Sequence, residues 1–500
     1  VTQSVNGVTQ LSYLFEEDDY MNTITVSGDV NARYVYDYNQ ATGRLKQRTA
    51  FLDNDKHEIE ERFTYDKYGA LKSIGNVGFN AIYAYDDYDR VSSLTYYANG
   101  ANRITQQYEY DTVTEGTVTY QTGRIKKITN SANQTQTYAY NNRGYVKTYH
   151  NSQNSDSYTY GYDGAGRLIS DGKYTYTYDG YNNITKKQTG VSSVTFGYDA
   201  TKRTQLNSVS ENGNTKYFGY DAMGNIITYK GSTATDTQNL YWTRGNMLAS
   251  GSIKDGVTFS YKYGADNVRY SKTVNGVETV YFWDDGLLVA EKTGDRLIQY
   301  CYDATGIAGM RYGDAYYYFE KNLFGDVIRV YDAVSSVVAE FKYDSYGNVI
   351  SESGAFASET KFRYRGYYYD SETGFYYLQS RYYDPSICRF ISADQYELLS
   401  TLSTSLGELN LYSYCSNNPI MFTDESGEGI IGILIACFII SGVILGAIDG
   451  GLNSTNTGWG LVGDILIGGV KGGLIAAAWA LSFAGGAMVG AGLGSVGGAL

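Results

Sequence analysis

The residues that could carry chemistry in this chain are carboxylates, because histidines and cysteines are few and scattered. The two histidines, His57 and His150, lie far in sequence from the four cysteines, and no CxxC pair occurs. A zinc site needs clustered ligands of these types, and a Ser-His-Asp or Cys-His triad needs a histidine near a nucleophile motif. We therefore expect no metal site, no cofactor and no triad.

The only two prolines lie in one late block, together with several aspartates. The stretch RYYDPSICRFISADQ, residues 381–395, holds Asp384, Asp394 and Pro385, and Pro419 follows shortly afterwards in NNPIMFTDESG. Two carboxylates held close together share a proton, so one can activate water while the other protonates an amide. The alternative is that the aspartates of this block only cap turns where the architecture changes.

Composition favours a large β-protein. The chain has 500 residues, 43% of them hydrophobic, with 55 Tyr, 58 Gly and a formal net charge of −13. Tyrosine packs well on half-buried strands, and glycine supplies turns. The acidity argues against a nucleic-acid surface, which needs clustered Lys and Arg. The first residues show no signal peptide and begin as if inside a repeat, so we expect an N-terminally incomplete chain.

A short repeat runs through the first three-quarters of the sequence. Each copy has the pattern aromatic-x-Tyr-Asp, then polar residues with Gly or Asn, then an apolar residue and renewed alternation. Clear copies are YGYDGAGRLISD (160–171), YTYDGYNNITKK (176–187), FGYDATKRTQL (196–206) and FGYDAMGNIITY (218–229). Their aspartates recur roughly every 20 residues, a period typical of repeat architectures.

Each unit is predicted to be a strand, a tight turn and a second strand. In YGYDGAGRLIS, alternation places Tyr160 and Tyr162 on one face, and Leu168 lies in the strand after the turn. Asp163 can accept hydrogen bonds from the turn's N–H groups, and Gly166 permits a positive φ. Single hairpins are marginal in water, so the units must pair into a continuous sheet with tyrosine ladders. The alternative for these tyrosines is carbohydrate binding, since aromatic faces also stack on sugars.

These units resemble the YD repeats of the Rhs family, which includes the C component of insecticidal toxin complexes and, more distantly, teneurins. Residues 362–427 resemble the Rhs repeat-associated core, GYYYDxETGLYYLxxRYYDPxxGRFxxxDP followed by NLYxYxxNNPxxxxDPxG. The resemblance implies an all-β fold in which a spiralling sheet of YD-repeat hairpins, residues 1–361, forms a hollow shell. The core, 362–427, would close it as a plug, and a hydrophobic, glycine-rich α-helical tail would follow over 428–500.

Within the core, several residues carry the match to the family pattern. They are Tyr382, Tyr383, Asp384, Pro385, Arg389, Phe390, Asn418 and Pro419. We expect both prolines where strand pairing must stop, because proline cannot donate to a ladder.

The resemblance also implies an activity. In the family, the core is an aspartyl autoprotease that separates the shell from a C-terminal toxin near the DPxG element. Carried over by position, Asp394 and Asp424 would be the catalytic aspartates and Arg381 the supporting cation, since a guanidinium can orient a carboxylate and keep it charged. The implied cleavage region is Gly427, Glu428 and Gly429.

Four residues near this implied site depart from the family pattern. Cys388 stands where the family has Gly, Gln395 and Glu425 stand where it has Pro, and Glu428 replaces an apolar residue. The aspartates match, and a catalytically silent copy is the alternative that these replacements leave open.

The composition changes abruptly after residue 427. Residues 429–447, GIIGILIACFIISGVILGA, carry no charge. At about 1.5 Å per residue, a helix of this length spans roughly the 30 Å hydrocarbon thickness of a membrane. Glycines at four-residue spacing near the end indicate close helix packing in lipid. We expect membrane insertion; the alternatives are a segment sheltered within the shell and a plain membrane anchor.

Together these features predict the distal part of a bacterial Rhs polymorphic toxin, secreted or on the cell surface. The shell would enclose its own C-terminal toxin, expected beyond residue 500. An immunity protein would be a further partner, and residues 428–500 would meet the target-cell membrane. The alternative is a wall-associated adhesin whose shell binds carbohydrate and whose tail anchors it.

Overall fold

Antiparallel strands in chain order build almost all of the structure. The computed structural model describes residues 2–5, 8–15, 21–98, 100–231, 233, 236–253, 256–394, 410–427 and 431–432. These residues form two large sheets, a small four-stranded sheet and a two-stranded pair. In the large sheets each strand pairs only with its neighbours in sequence, which gives a plain meander. The all-β prediction is confirmed for the described residues.

The first large sheet comprises Thr2–Val5 (β1), Val8–Phe15 (β2), Met21–Val26 (β3), Ala32–Tyr38 (β4), Leu45–Leu52 (β5), His57–Tyr65 (β6), Leu71–Gly75 (β7), Asn80–Tyr85 (β8), Val91–Ala98 (β9), Ala101–Glu115 (β10), Val118–Asn130 (β11), Thr135–Tyr140 (β12), Val146–Asn151 (β13) and Asp156–Thr159 (β14). The second comprises Gly161–Tyr162 (β15), Leu168–Ser170 (β16), Thr175–Tyr178 (β17), Ile184–Thr189 (β18), Ser192–Tyr198 (β19), Leu206–Glu211 (β20), Asn214–Tyr220 (β21), Ile226–Lys230 (β22), Gln238–Thr243 (β23), Met247–Ser252 (β24), Thr258–Tyr263 (β25), Arg269–Val274 (β26), Val277–Asp284 (β27), Leu287–Thr293 (β28), Arg296–Asp303 (β29), Gly306–Tyr312 (β30), Ala315–Lys321 (β31), Val327–Tyr331 (β32), Val337–Tyr343 (β33) and Val349–Ser353 (β34). The small sheet comprises Tyr368–Asp370 (β35), Phe375–Leu378 (β36), Arg381–Asp384 (β37) and Arg389–Phe390 (β38), and the last pair is Phe422–Thr423 (β39) with Ile431–Gly432 (β40). Short 3-10 helices cover Tyr364–Gly366, Pro385–Ile387 and Cys415–Asn417.

The two large sheets form one ribbon that winds back on itself. Tyr160 lies between β14 and β15, and its N–H donates to the Lys147 carbonyl on β13 at 2.8 Å. Contacts between successive turns of the ribbon join residues 248 apart at Tyr36–Asp284 and 157 apart at Lys187–Asp344. A residue later in the first turn contacts a residue later in the second turn. The later strands therefore stack on the earlier ones in the same order, and the ribbon forms a spiral.

Most repeat turns are held by an aspartate, as predicted, or by an asparagine at the same position. The Asp163 Oδ1 accepts the N–H groups of Ala165 at 3.0 Å and Arg167 at 2.9 Å, and Gly166 has a φ of 87°. The same pair of bonds recurs at Asp66, Asp86, Asn141, Asp179, Asp221, Asn322, Asp332 and Asp344. The turn is therefore set locally, by residues within four positions of one another.

The tyrosine directly before the turn joins most units to the preceding hairpin. The Tyr162 hydroxyl donates to the Val146 carbonyl at 2.7 Å, and the Tyr263 hydroxyl donates to the Leu248 carbonyl at 2.7 Å. The same link is made by Tyr65, Tyr85, Tyr110, Tyr140, Tyr178, Tyr198, Tyr302 and Tyr343. The ring packs in the core while the hydroxyl is satisfied. These tyrosines are structural, which favours the ladder interpretation over sugar stacking.

Two tryptophans extend the repeat into copies that the tyrosine pattern does not reveal. The Trp242 Nε1 donates to the Ile226 carbonyl and the Trp283 Nε1 to the Arg269 carbonyl, both at 2.7 Å. An indole N–H therefore replaces the phenol O–H as donor. What repeats is a ring with a hydrogen-bond donor at its edge, and the sequence pattern missed these units because it required tyrosine.

The core docks on the row of repeat turns. The Asn418 amide donates to the Gly166 carbonyl at 2.7 Å, and the Tyr412 hydroxyl donates to the Gly224 carbonyl at 2.8 Å. Further contacts of this kind join Tyr376 to Gly347, Gln379 to Gly286 and Arg389 to Thr204. Side chains of the core thus satisfy main-chain groups of the turns, which holds the core against one edge of the ribbon.

Neither proline lies in a strand, and Pro385 lies where strand pairing stops, as predicted. Pro385 begins the 3-10 helix Pro385–Ile387 directly after β37, and Asp384 caps that helix by accepting the Ser386 N–H at 2.9 Å. Pro419 follows the 3-10 helix Cys415–Asn417.

The predicted tail lies almost entirely outside the described residues. Its described part, Ile431–Gly432, pairs with Phe422–Thr423. The helix predicted over 429–447 is otherwise outside the described residues, as are the later glycine-spaced segments. Across the part of the chain that the structure describes, no helix has both the length and the apolar character needed to cross a membrane.

Candidate functional site

Arg381 brings the two candidate aspartates together. Its Nη2 lies 3.1 Å from the Asp394 Oδ2 and 3.2 Å from the Asp424 Oδ2. The guanidinium stacks on the ring of Phe390, with its Cζ 3.7 Å from the ring centroid. The side chains of Arg381 and Asp424 are 4% and 2% exposed, and that of Asp394 is 17% exposed. One buried cation thus binds two carboxylates that are distant in sequence.

Main-chain hydrogen bonds hold each aspartate in place. The Asp394 N–H donates to the Leu411 carbonyl at 3.1 Å, and the same carbonyl accepts the Arg381 Nη1 at 3.3 Å. The Asp424 N–H donates to the Tyr367 hydroxyl at 3.0 Å. Strand β37 supplies Arg381, so the site joins a strand of the small sheet to two irregular segments.

The predicted cleavage region begins at this cluster. The Arg381 Nε donates to the Gly427 carbonyl oxygen. The carbonyl of the preceding residue, Ser426, accepts both the N–H and the Oγ–H of Ser380, at 3.1 and 2.7 Å. Gly427 is buried, and Glu428 and Gly429 lie outside the described residues.

The residues that carry the core motif are buried and support the site rather than join it. Tyr382, Tyr383, Asp384, Pro385, Arg389, Phe390, Asn418 and Pro419 all lie in the region that docks on the ribbon. Asp384 is separate from the two candidate aspartates, because it caps the 3-10 helix and accepts the Tyr229 hydroxyl at 3.0 Å. Burial raises its pKa, partly offset by hydrogen bonds from Ser386 and Tyr229.

The fold and the order of these elements match a known family. A family model described as the teneurin YD-shell matches residues 2–420. The chain belongs to the teneurin YD-shell family. The match covers both large sheets of this YD-shell chain, together with Arg381 and Asp394, and it ends before Asp424.

The proteins that this YD-shell chain resembles are much longer than the chain itself. The tRNA3(Ser)-specific nuclease WapA of Bacillus spizizenii and the tRNA nuclease WapA of Bacillus subtilis are each 31% identical over 268 residues, which is 52% of this chain and 11% of each relative. A mutant Photorhabdus luminescens Tc holotoxin pore has the same fold, with a TM-score of 0.52 at 17% identity over 85% of this chain and 25% of that chain. The match therefore spans about a tenth of the length of each of these two WapA relatives.

The backbone at Cys388 shows why the Rhs core pattern has glycine at this position of the YD-shell chain. Its φ of 58° is in the left-handed region, where glycine is favoured, so the usual glycine suits the backbone here. The thiol is buried, and burial raises the pKa of Cys388 to about 12. Of the other departures, Glu425 is exposed, whereas Gln395 and Glu428 lie outside the described residues.

Sequence reasoning missed three residues that complete the candidate site. Tyr367 contacts the Asp424 main chain, the Leu411 carbonyl joins Asp394 to Arg381, and Ser380 contacts Ser426. Tyrosine is too common in this chain to single one out, and main-chain contacts leave no mark in side-chain identity. The available signal was the position of Ser380, directly before Arg381.

A second buried ionic cluster anchors the core to the ribbon. Arg269 on β26 binds Asp370 on β35 with two bonds, at 2.6 and 3.0 Å, and Lys272 binds the same carboxylate at 2.8 Å. The side chains of Arg269 and Asp370 are 1% and 0% exposed. Burial raises the pKa of Asp370, but Arg269 and Lys272 outweigh it and hold that pKa below its usual value.

Proposed function

We propose that this chain is the shell-forming part of a bacterial Rhs-type toxin, which encloses a C-terminal effector and cuts itself free of it within residues 427–429. The observation that carries the proposal is the triple contact of Arg381, which binds Asp394, Asp424 and the Gly427 carbonyl at once. Membership of the YD-shell family and the similarity to the WapA nucleases support the enclosing role.

The geometry suits hydrolysis of a main-chain amide. Asp394 and Asp424 share one guanidinium nitrogen, and we assign one proton to the pair. The ionised carboxylate takes a proton from a solvent water, whose oxygen then bonds to the carbonyl carbon. The protonated carboxyl gives its proton to the amide nitrogen, and the C–N bond breaks to leave a new carboxyl group and a new amine.

Arg381 has a second role when the cut bond is Gly427–Glu428. Its Nε then faces the carbonyl oxygen on which negative charge develops as water attacks. A lysine has one nitrogen and cannot reach that oxygen and both carboxylates, so Arg381→Lys should abolish cutting although it keeps the charge.

Autoproteolysis is tested on the purified full chain. Intact mass spectrometry over a time course should show a cut within 427–429, slowed about 100-fold or more in Asp394→Asn, Asp424→Asn and Arg381→Lys. Asp384→Asn is the matched control, since this core aspartate is buried like Asp424 but lies outside the site, and the variant should cut at the wild-type rate. An uncut wild-type chain, or equal cutting in all variants, rejects the activity.

The tail is proposed as the membrane-active part of the cargo, with an immunity protein protecting the producing cell. The support is its uncharged apolar stretch, residues 429–447, directly after the proposed cut. When bacteria express residues 428–500 alone, a potential-sensitive dye should report membrane depolarisation. Bacteria that express the full chain should show none. Harmless insertion of the tail would instead favour the wall-associated adhesin, in which it is an anchor.

A further inference from the structure

The two-residue turn between β36 and β37 grips the chain just before the proposed cut. Leu378 pairs with Arg381 across this turn, which leaves Gln379 and Ser380 at its tip. The N–H and the hydroxyl of Ser380 both donate to the Ser426 carbonyl, at 3.1 and 2.7 Å. Two donors on one carbonyl fix the direction of that peptide plane.

The same turn leaves no room for a side chain at residue 427. A Cβ added to Gly427 would lie 2.7 Å from the Ser380 Oγ, 2.8 Å from the Leu378 carbonyl oxygen and 3.0 Å from the Arg381 nitrogen. Two of these atoms belong to the backbone of a paired turn, so they cannot rotate away. Gly427 also has a φ of 73°, which is unfavourable for any residue with a Cβ.

We infer that the turn 378–381 is a clamp that holds Ser426 and accepts only glycine at 427, so that the following peptide reaches the aspartates. Ser380 is a positioning residue in this scheme, and glycine at 427 determines which chain can be cut. The inference rests on the proposed autoproteolysis, because the clamp and the aspartates meet at Arg381. It goes beyond that proposal by naming the specificity of the site and the element that imposes it.

Replacing the glycine tests the specificity. Gly427→Ala should slow self-cleavage of the full chain about tenfold or more, because the Cβ displaces the peptide from the clamp. Gly276→Ala is the matched control, since Gly276 has a φ of 85° but nothing within 4 Å of an added Cβ. Equal cleavage rates in the two variants would overturn the inference.

Replacing the serine tests the positioning role. Ser380→Ala loses one of the two bonds to Ser426 and should slow cleavage about tenfold, while Ser380→Thr keeps the hydroxyl and restores the rate. Ser345→Ala is the control, since it removes a buried serine hydroxyl that bonds Asp171 at 2.8 Å, away from the site. The cleavage rate of Ser380→Ala should fall by more than its loss of thermal stability explains. If the loss of thermal stability accounts for the whole loss of rate, Ser380 has no positioning role.

A readout that needs no autoproteolysis separates the two proposals. In the Asp394→Asn chain, glutamyl endopeptidase should cut slowly after Glu425, because the clamp holds the next residue, and about tenfold faster when Gly427→Ala is added. If no chain cuts itself but this protection is seen, the proposed function fails and the clamp stands. If Glu425 is cut equally fast with and without Gly427→Ala, the clamp is wrong.

Discussion

At the residue level, the buried guanidinium of Arg381 decides what the candidate site can do. A single surface ion pair contributes little, but this cation is enclosed by two carboxylates, two main-chain carbonyls and the Phe390 ring. Removing the guanidinium would leave both carboxylates without a counter-charge, so Arg381 holds the geometry of the pair. Hydrolysis by paired carboxylates depends on that kind of fixed placement.

The cysteines provide a residue-level prediction about accessibility. Cys301, Cys388 and Cys415 are buried free thiols, and burial raises the pKa of all three. A thiol of pKa 12 is ionised in roughly one molecule in ten thousand at pH 8, so thiolate reagents should not label it. In a Cys437→Ser chain, iodoacetamide should label none of the three natively and all three in guanidinium. Rapid native labelling of Cys388 would contradict its buried position within the core.

At the level of elements, the core and the ribbon depend on each other. The small sheet buries Asp370 against Arg269 and Lys272 of the ribbon, and core side chains satisfy carbonyls of the repeat turns. Buried rings of the core, such as Tyr376 and Tyr383, belong to the same hydrophobic cluster as the ribbon residues Tyr229 and Tyr346, so the core has no separate hydrophobic centre. Its strands, and hence Arg381 on β37, are therefore positioned by the ribbon.

Breaking that anchor should loosen the core. Asp370→Asn leaves the buried Arg269 without a carboxylate and leaves Lys272 with Glu372 alone. It should lower the unfolding free energy by about 3 kcal/mol or more, measured by urea unfolding. Asp314→Asn removes the partner of an exposed pair, Arg311–Asp314, and should change it by less than about 0.5 kcal/mol. If both variants lose a similar amount of unfolding free energy, the buried cluster stabilises the fold no more than the exposed pair does.

The same cluster has a defined pH dependence. The folded-state pKa of Asp370 lies below its unfolded value of about 3.9, so its stabilisation is present above that pH and disappears as the pH falls through the folded value. Wild-type stability should therefore drop more steeply below pH 4 than that of Asp370→Asn. Parallel curves for the two chains would disprove this contribution.

At the level of the whole molecule, the two large sheets wind into one spiral ribbon that buries many tyrosines together with the docked core. Rings such as Tyr34, Tyr96 and Tyr383 are almost fully buried, and burial raises their pKa well above the usual value of about 10. Because the folded-state pKa is raised, the phenols add a stabilisation that is present below pH 10 and is lost as the pH rises beyond it.

Alkaline titration tests this property. Absorbance at 295 nm should show the buried phenols ionising in one cooperative step above about pH 11, together with loss of the β-sheet circular dichroism. In guanidinium the 55 tyrosines should titrate together near pH 10. Gradual ionisation of most tyrosines near pH 10 with an unchanged spectrum would contradict the buried ladder.

The hairpin repeat is the part of the fold that short-range sequence could predict. The turn bonds of Asp163 reach only four residues, and the Tyr162 hydroxyl reaches the neighbouring hairpin. The tryptophan copies at Trp242 and Trp283 escaped because the pattern was defined by residue type rather than by the donor on the ring. Arg381, Asp394 and Asp424 were named through family resemblance, and no spacing rule predicts their contact.

Short-range patterns were enough to predict the strands, the turns, the buried tyrosines and the stop at Pro385, because each depends on residues close along the chain. The spiral, with contacts between residues 157 to 248 apart, and the contact of Arg381 with an aspartate 43 residues away arise only when the whole chain packs together. Such contacts depend on how the whole ribbon winds and where the core docks. The clamp on Ser426 and Gly427 belongs to this second class, because it consists mainly of main-chain atoms of a turn, which side-chain identities do not encode.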